Sequence, residues 1–509
     1  MKPITETDLT AAGYEPGPVF QQMLEKAAEF EARGIHDPKY ALKLLAREFG
    51  PPPPKAVMRE KPAPLAEAIR YDKREEYENV EAVRRQMRDL LKVPVISRGA
   101  VMPDACPTGK AKAVMPVGGV IAVENAIIPA AHSSDICCSM FATFYHERSN
   151  VGAELDALET CTRFGLGHRH LDTLVPDPVH DEEVWGNPFL QGLRDRARVH
   201  MADQGDGNHF AYIGEMDVDA GTVAAFRKAG HHDLAARLDG KGTCRVLVTH
   251  HGSRGLGAHV YKRGYIAALK HVAKTGAHIP DAGAWLDARS PEGEAYWEAL
   301  QYVSRWTRAN HAAIHRRFLE RIGAPEIATL GNEHNFVWKR GNTFLHGKGA
   351  TPAWQDELGR PLPGLIPLNM AEPILLVLGK DNADYLSFAP HGAGRNVSRT
   401  AMRRQFHDQS HRTEVIRRTT KGLDIRWFCG KPDVTETPLA YKDAKSVREQ
   451  IRDFGLAEII GEIHPLGCIM AGSTTSWRDR EEDLTPKQIR QIAHRSERRR
   501  VKQDLGEEF

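Results

Sequence analysis

Five short stretches of this sequence bring histidine, cysteine or aspartate together with small residues. They are Ser134-Asp135-Ile136-Cys137-Cys138-Ser139, Gly205-Asp206-Gly207-Asn208-His209-Phe210, His250-His251-Gly252-Ser253-Arg254-Gly255, Glu333-His334-Asn335-Phe336 and Pro390-His391-Gly392-Ala393-Gly394-Arg395. In a chain with 24 histidines a single one is an ordinary surface or core residue; five stretches of this texture point to a common centre. Imidazole, thiolate and carboxylate together suit a borderline divalent ion such as zinc or manganese. Calcium and magnesium prefer all-oxygen shells, which this set is not. Glycine beside the histidines lets backbone and ligands approach closely.

The basic residues near these stretches suit a phosphate substrate. Arg254 and Arg395 each lie near a histidine within a glycine-containing turn, and Arg399 is four residues beyond Arg395. Turns of this kind expose backbone N–H groups, to which arginine adds a bidentate fork. Lys348, in Gly347-Lys348-Gly349-Ala350, adds a point charge. Taken singly, each of these is equally well an ordinary surface charge.

Something must hold these side chains together. Apolar runs such as Val246-Leu247-Val248-Thr249 before Gly252 and Ile374-Leu375-Leu376-Val377-Leu378 before Gly379 read as strands. Ala295 to about Ile322 reads as a helix, and no regular βαβ alternation is present. The expectation is therefore an α+β domain over 94–472, with mixed or antiparallel sheets and helices around a metal-lined cleft. Residues 1–93 read as a helical accessory region. Phe20, Met23, Leu24, Ala27, Ala28 and Phe30 have helical spacing; Tyr40–Phe49 is helical until Gly50 and the stiff run Pro51–Pro54; Val80, Val83, Met87, Leu90 and Leu91 share one face. From 473 to 509 the chain is a charged helical tail. Its start is Thr485-Pro486, and Arg495, Arg498, Arg499 and Arg500 lie on it, as a solvated helix or as contacts to RNA phosphates.

The 509 residues can form one large domain or two to three smaller ones, with a composition (41% hydrophobic, 27% charged) that is ordinary for a soluble protein. A net charge of +2 excludes binding nucleic acid by bulk charge alone; any basic groove has to be local. No apolar run reaches membrane-spanning length, and Met1–Glu6 lack the apolar core of a signal peptide. Seven cysteines without CxxC pairing point to a reducing cytoplasm.

The segments also resemble, in order from Met102-Pro103-Asp104 to Gly472, the RtcB-type GTP- and manganese-dependent RNA-splicing ligases. Ala126-Ile127-Ile128-Pro129-Ala130-Ala131 with Asp135–Met140 resembles that family's AIIPAA and D-[IV]-G-C-G-M segment. Gly207–Phe210 is similar to its GNHF, His250–Gly257 to its H-x-G-S-R-G-[IL]-G, and His334-Asn335 to its H-N pair. Gly347–Thr351 resembles its RKGA[TV] turn, and His391–Arg395 with Ser398-Arg399 resembles HGAGR…SR. The resemblance implies metal ligands at Asp135, Cys138, His209, His250 and His334 for two manganese ions, with Asp104 beside them. It implies that His391 is the nucleophile that takes up the nucleotide, that Arg254, Arg395, Arg399 and Lys348 hold phosphates, and that Asn208, Asn369 and Tyr441 contact the nucleotide. The implied substrates are RNA ends, a 3′-phosphate or 2′,3′-cyclic phosphate joined to a 5′-hydroxyl, as in RNA repair or tRNA splicing.

The departures from that family fall mostly on guanine recognition. Tyr212 stands where the family has a glutamate against the base. The P-G-S-M-G loop is Pro367-Leu368-Asn369-Met370-Ala371, the terminal lysine-glycine pair is replaced in Gly467–Gly472, and Gly347 replaces the arginine of RKGA. A tyrosine cannot accept two guanine N–H groups, and an unsatisfied buried partner costs roughly 1–3 kcal/mol. These changes imply altered base selectivity, with ATP as well as GTP as a candidate. Cys137 stands where the family has glycine, and Cys106, near a family histidine, is either a spare ligand or a buried small residue. Two other readings fit the same residues: a binuclear metal phosphatase or phosphodiesterase acting on RNA ends, and a non-ligating RNA-end-binding repair subunit. Oligomeric state and the RNA substrate are not readable from the sequence.

Overall fold

The computed structural model describes residues 4–472 apart from 15–16, 53–55, 72–73, 110 and 276–277. The charged tail expected from 473 lies outside the described residues. Among them, no helix is long and apolar enough to cross a membrane.

The architecture is α+β and rests on two sheets. The larger has the order Ala328–Glu333, Ser139–Tyr145, Gly242–His251, Phe210–Val218, Ala457–Met470, Ile374–Gly379, Pro363–Ile366, all antiparallel; Asp424–Trp427 adds in parallel to Ala457–Met470. Its two edge strands meet through Asn332, whose side chain donates to the Leu365 carbonyl (3.2 Å) and accepts from the Leu365 N–H (2.8 Å). The sheet is thus nearly closed, with one amide standing in for a ladder. The second sheet runs Leu65–Glu67, Ile96–Cys106, Val117–Glu124, Thr343–Lys348, Asn335–Arg340, with only the first pair parallel. His334 is the single residue between the edge strand of one sheet and that of the other.

The helix Pro291–Ile322 backs the larger sheet. Ser290 caps it, Pro291 fits its first turn, and Gly323 ends it in the left-handed region at φ 65°. It buries Trp306, Ile314 and Phe318, and it also buries two histidines. His311 meets Ser139 Oγ (3.0 Å) and Thr249 Oγ1 (2.7 Å), and His315 meets Thr249 Oγ1 (2.8 Å) and Thr143 Oγ1 (2.7 Å). Burial pushes both imidazoles well down, so they stand neutral behind the strands Ser139–Tyr145 and Gly242–His251.

The N-terminal helices Glu6–Ala11, Pro18–Ala32 and Pro38–Phe49 enclose a small core of their own built on Leu9, Phe20, Met23, Phe30 and Leu45. The expected third helix is present as Arg74–Leu90 but packs elsewhere. Its Val80, Val83, Met87 and Leu90 belong to the main core, and Leu65–Glu67 is a strand of the second sheet. The stretch 1–93 is therefore divided in its packing between residues 6–49 and the main body.

Candidate metal centre and nucleotide pocket

The five stretches converge at one end of the larger sheet. Asp135 and Cys138 occupy the turn leading into Ser139–Tyr145, and His209 directly precedes Phe210–Val218. His250 is near the end of Gly242–His251, and His334 joins the two sheets. Antiparallel register does the gathering: Met140 pairs with His250, and Phe210 pairs with His250 from the other side. Gly252 is needed here because a Cβ on it would lie 2.0 Å from Asp135 Oδ1.

Two groups of ligand atoms result, Asp135–Cys138–His209 and Cys138–His250–His334, each with its atoms within 4.8 Å of one another. Cys138 belongs to both. Its Sγ is 3.6 Å from His209 Nε2 and 3.2 Å from His250 Nε2; His209 Nε2 is 2.9 Å from Asp135 Oδ2, and His250 Nε2 is 3.1 Å from His334 Nε2.

The hydrogen-bond partners of the rings are compatible with a cation. His209 Nδ1 faces the Gln204 carbonyl at 3.0 Å, and His250 Nδ1 faces the Asn208 carbonyl at 3.2 Å. A carbonyl only accepts, so in the neutral rings the proton sits on Nδ1 and the Nε2 lone pairs point inward. There they meet a carboxylate oxygen, a sulfur and another imidazole nitrogen. Lone pairs held this close repel unless a proton, such as that of the Cys138 thiol, or a positive ion lies among them, and outward Nδ1–H bonds to carbonyls are the arrangement that orients metal-bound histidines. His334 Nδ1 is buried without a hydrogen-bond partner.

Electrostatics point the same way. Burial raises the Asp135 carboxyl, but His209, Cys138 and His250 around it more than offset this and hold it at about 2. Burial, reinforced by His209 and His391, lowers His250 to about 3 and keeps it neutral. Burial and then Asp135 push the Cys138 thiol well above its ordinary value, so a thiolate here calls for a bound cation.

Asp135 and His250 from these groups border a cavity of about 360 Å³ whose lining also includes Asn208, Lys348, Asn369, His391, Arg395, Arg399 and Tyr441. His391 follows the short strand Phe388–Pro390, and its ring lies 4.8 Å from that of His334. Its Nδ1 is 2.5 Å from Oδ2 of the buried Asp104, which also accepts from the His391 backbone N–H at 3.2 Å. A carboxylate on Nδ1 fixes the proton there and leaves Nε2 as the free lone pair. Gly394, at φ 72°, allows this approach; a Cβ there would sit 1.8 Å from the Asp104 carbonyl oxygen.

Arg395 and Arg399 are organised by a residue that no sequence motif marks. The buried Glu436 accepts from Arg395 (2.8 Å) and Arg399 (3.0 Å) through Oε1, and from the Tyr441 hydroxyl (2.6 Å) through Oε2. Burial opposes its charge, but the two guanidinium groups hold its carboxyl below the usual range. The Arg395 guanidinium also lies 5.0 Å over the Tyr441 ring. A lone glutamate in Thr435-Glu436-Thr437 carries no motif-level signal. Lys348 donates to the Met115 carbonyl (2.9 Å), and burial lowers it to about 8.

Two expected ligand-binding side chains are placed differently. Arg254 does not line the cavity; its Nη2 lies 3.6 Å from Asp203 and donates to the Gly165 carbonyl (3.3 Å), while its Nε is buried without a hydrogen-bond partner. Tyr212 lines the cavity, but its hydroxyl donates to the Ile463 carbonyl at 2.8 Å in the neighbouring strand, so only its ring faces a ligand. Asn369 borders the cavity while its Oδ1 accepts from Ala371 N–H (3.0 Å), shaping its own loop. Cys106 is part of the lining, away from both ligand groups, and burial raises its thiol. Cys137 is buried in the left-handed region at φ 56°, a conformation that glycine adopts without strain.

A family model described as tRNA-splicing ligase RtcB matches residues 186–471. The chain is similar to the RNA-splicing ligase RtcB of Mycobacterium tuberculosis, 26% identical over 422 residues that cover 70% of this chain and 93% of the relative. It is also similar to the tRNA-splicing ligases RtcB of Thermococcus kodakarensis (26% over 434 residues, 72% and 86% covered) and Aeropyrum pernix (25% over 434 residues, 72% and 86% covered).

Proposed function

Because the chain belongs to the RtcB family of tRNA-splicing ligases, we propose that it joins an RNA 3′-phosphate or 2′,3′-cyclic phosphate end to a 5′-hydroxyl end through a nucleotide carried on His391. The observation that carries this reading is the free Nε2 of an imidazole anchored by Asp104, beside two ligand groups that share Cys138. Asp135, Cys138 and His209 would hold one manganese ion, and Cys138, His250 and His334 a second. Such ions neutralise charge developing on phosphate oxygens.

In the first step His391 Nε2 attacks the α-phosphorus of a nucleoside triphosphate; an N–P bond forms, the bond to the β-phosphate oxygen breaks, and pyrophosphate leaves. Asp104 keeps the Nδ1 proton and stabilises the charge that appears on the ring. An oxygen of the RNA 3′-phosphate then takes the nucleotidyl group, breaking the N–P bond and restoring His391. The 5′-hydroxyl of the second RNA attacks the activated 3′-phosphorus, loses its proton and expels the nucleoside monophosphate. A 2′,3′-cyclic phosphate is opened by water before this sequence. Lys348, Arg395 and Arg399 line the cavity as phosphate partners, and Tyr441 offers a stacking face.

The base end of the cavity supports relaxed nucleotide selectivity. Phe210, Tyr212, Leu368, Met370, Ile374 and Met470 line it, and the one hydroxyl among them is engaged by Ile463. Asn369 and Cys468 lie among them, but no carboxylate or lysine does, so this wall lacks the charged groups that would accept from guanine or donate to its carbonyl. The test is labelling with each of the four α-labelled nucleoside triphosphates and manganese. ATP and GTP are expected to label the protein within about tenfold of each other, a difference of about 1.4 kcal/mol. Labelling by GTP alone contradicts the relaxed slot. Absence of any adduct together with phosphate release from RNA ends favours the binuclear phosphatase.

A further inference from the structure

Two helices beyond the cavity wall carry charge that neither the metal centre nor the nucleotide pocket uses. Arg399–Gln405 and Gln409–Thr419 are seated by Met402, Phe406 and Val415 on Val434 and Ala440, either side of Glu436 and close to Tyr441. From Arg399 to Lys421 the sequence has seven Arg and Lys residues against two acids, in a chain whose net charge is only +2. Both acids are engaged: Asp408 accepts from His411 N–H (2.9 Å), and Glu414 pairs with Arg417 (2.8 Å). Arg403, Arg404, Arg418 and Lys421 are exposed and form no ion pair among the described residues. Arg399, at the start of the first helix, lines the cavity and is paired there with Glu436, so the helical pair adjoins the pocket.

We propose that this helical pair docks the phosphate backbone of the RNA strand whose end enters the cavity. The proposal rests on the RNA-ligase reading of that cavity. Unneutralised Arg and Lys attract a polyanion by releasing its counterions, and contacts to phosphates position a strand without reading its sequence. A protein partner is the poorer fit, because interfaces concentrate their energy in apolar and aromatic anchors. None of the exposed large hydrophobic residues falls between Arg399 and Lys421.

The experiment is fluorescence anisotropy of a labelled single-stranded RNA bearing a 3′-phosphate, titrated with the full chain over a series of salt concentrations. The variant Arg403→Ala/Arg404→Ala/Arg418→Ala/Lys421→Ala is compared with the unsubstituted protein. Affinity at low salt is expected to fall about tenfold or more, equally for two unrelated sequences. The log–log salt slope should become shallower by about 0.7 for each phosphate that the variant no longer neutralises. An unchanged affinity and slope, or a loss confined to one sequence, overturns the proposal. Should the quadruple variant fold poorly, Arg403→Glu alone is expected to give the same direction, and its failure to do so counts equally against the surface. Nucleotide labelling without RNA separates the two readings. The variant should label normally; absence of labelling in the unsubstituted protein removes the ligase reading, while the salt slope still decides the docking surface.

Discussion

Asp104 has no exposed surface and accepts the hydrogen bond of His391 Nδ1–H at 2.5 Å, so the nucleophile depends on a carboxylate 287 positions earlier in the chain. Asp104→Asn keeps the shape but removes the charge and leaves the tautomer free. The expected result is adduct formation slowed by about 10²–10⁴, the usual range for a general acid–base partner, in single-turnover labelling. An unchanged rate would remove Asp104 from this role. Lys348 gives a pH prediction. Burial brings its ammonium down to about 8, so the charge offered to a triphosphate is present below that pH and lost above it. Nucleotide capture by the free protein should therefore weaken as pH rises through about 8. Lys348→Arg should abolish this alkaline fall, because a guanidinium stays charged. The sign for stability is opposite: above about 8 the unfolded chain holds this proton longer than the folded one, so this group favours the fold increasingly up to the ordinary lysine range. Most residues of the site were legible because metal and phosphate chemistry admits few side chains. Glu436 was not, because an isolated glutamate looks like surface until the fold buries it between two arginines. Arg254 reads in sequence as a phosphate partner; in the fold its Nη2 lies 3.6 Å from the buried Asp203, which no motif marks.

At the scale of elements, strand ends do the positioning, and glycine marks where strands and ligands come too close for a Cβ. Gly252→Ala would place a methyl group 2.0 Å from Asp135 Oδ1 and force that carboxylate out of the ligand group. Manganese affinity, measured by titration calorimetry, is expected to drop by about 10–100-fold, the range found when ligand orientation is disturbed, with the fold retained. An unaltered affinity would show that Asp135 is not a ligand. The strands at Val246–Thr249 and Ile374–Leu378 and the helix ending at Ile322 were readable from apolar runs and periodicity, because each buries its apolar residues in the nearest layer. Sheet order was not readable. Nothing local states that Asn332 bridges two edge strands or that His334 joins two sheets, since those pairings are fixed by residues far apart in sequence.

The whole molecule divides less simply than its sequence texture suggests. The face of Arg74–Leu90 announces that it will be buried, but periodicity does not say against what, and the structure sets it in the main core. Removing residues 1–50 is therefore expected to leave the melting temperature of the remainder within a few degrees. Removing 1–93 also strips Leu65–Glu67 and the buried Val80, Val83, Met87 and Leu90, each worth roughly 1.5–3 kcal/mol of burial, and should unfold the protein. Equal stability of the two truncations would contradict this division. All three scales meet at one imidazole, held by a distant carboxylate beside paired ligand groups at the junction of two sheets. The direct measurement is peptide mapping by mass spectrometry after incubation with manganese and a nucleoside triphosphate under alkaline quench. A nucleoside monophosphate attached to His391 and lost in His391→Ala is expected; an adduct on any other residue, or none, would contradict His391 as the nucleophile.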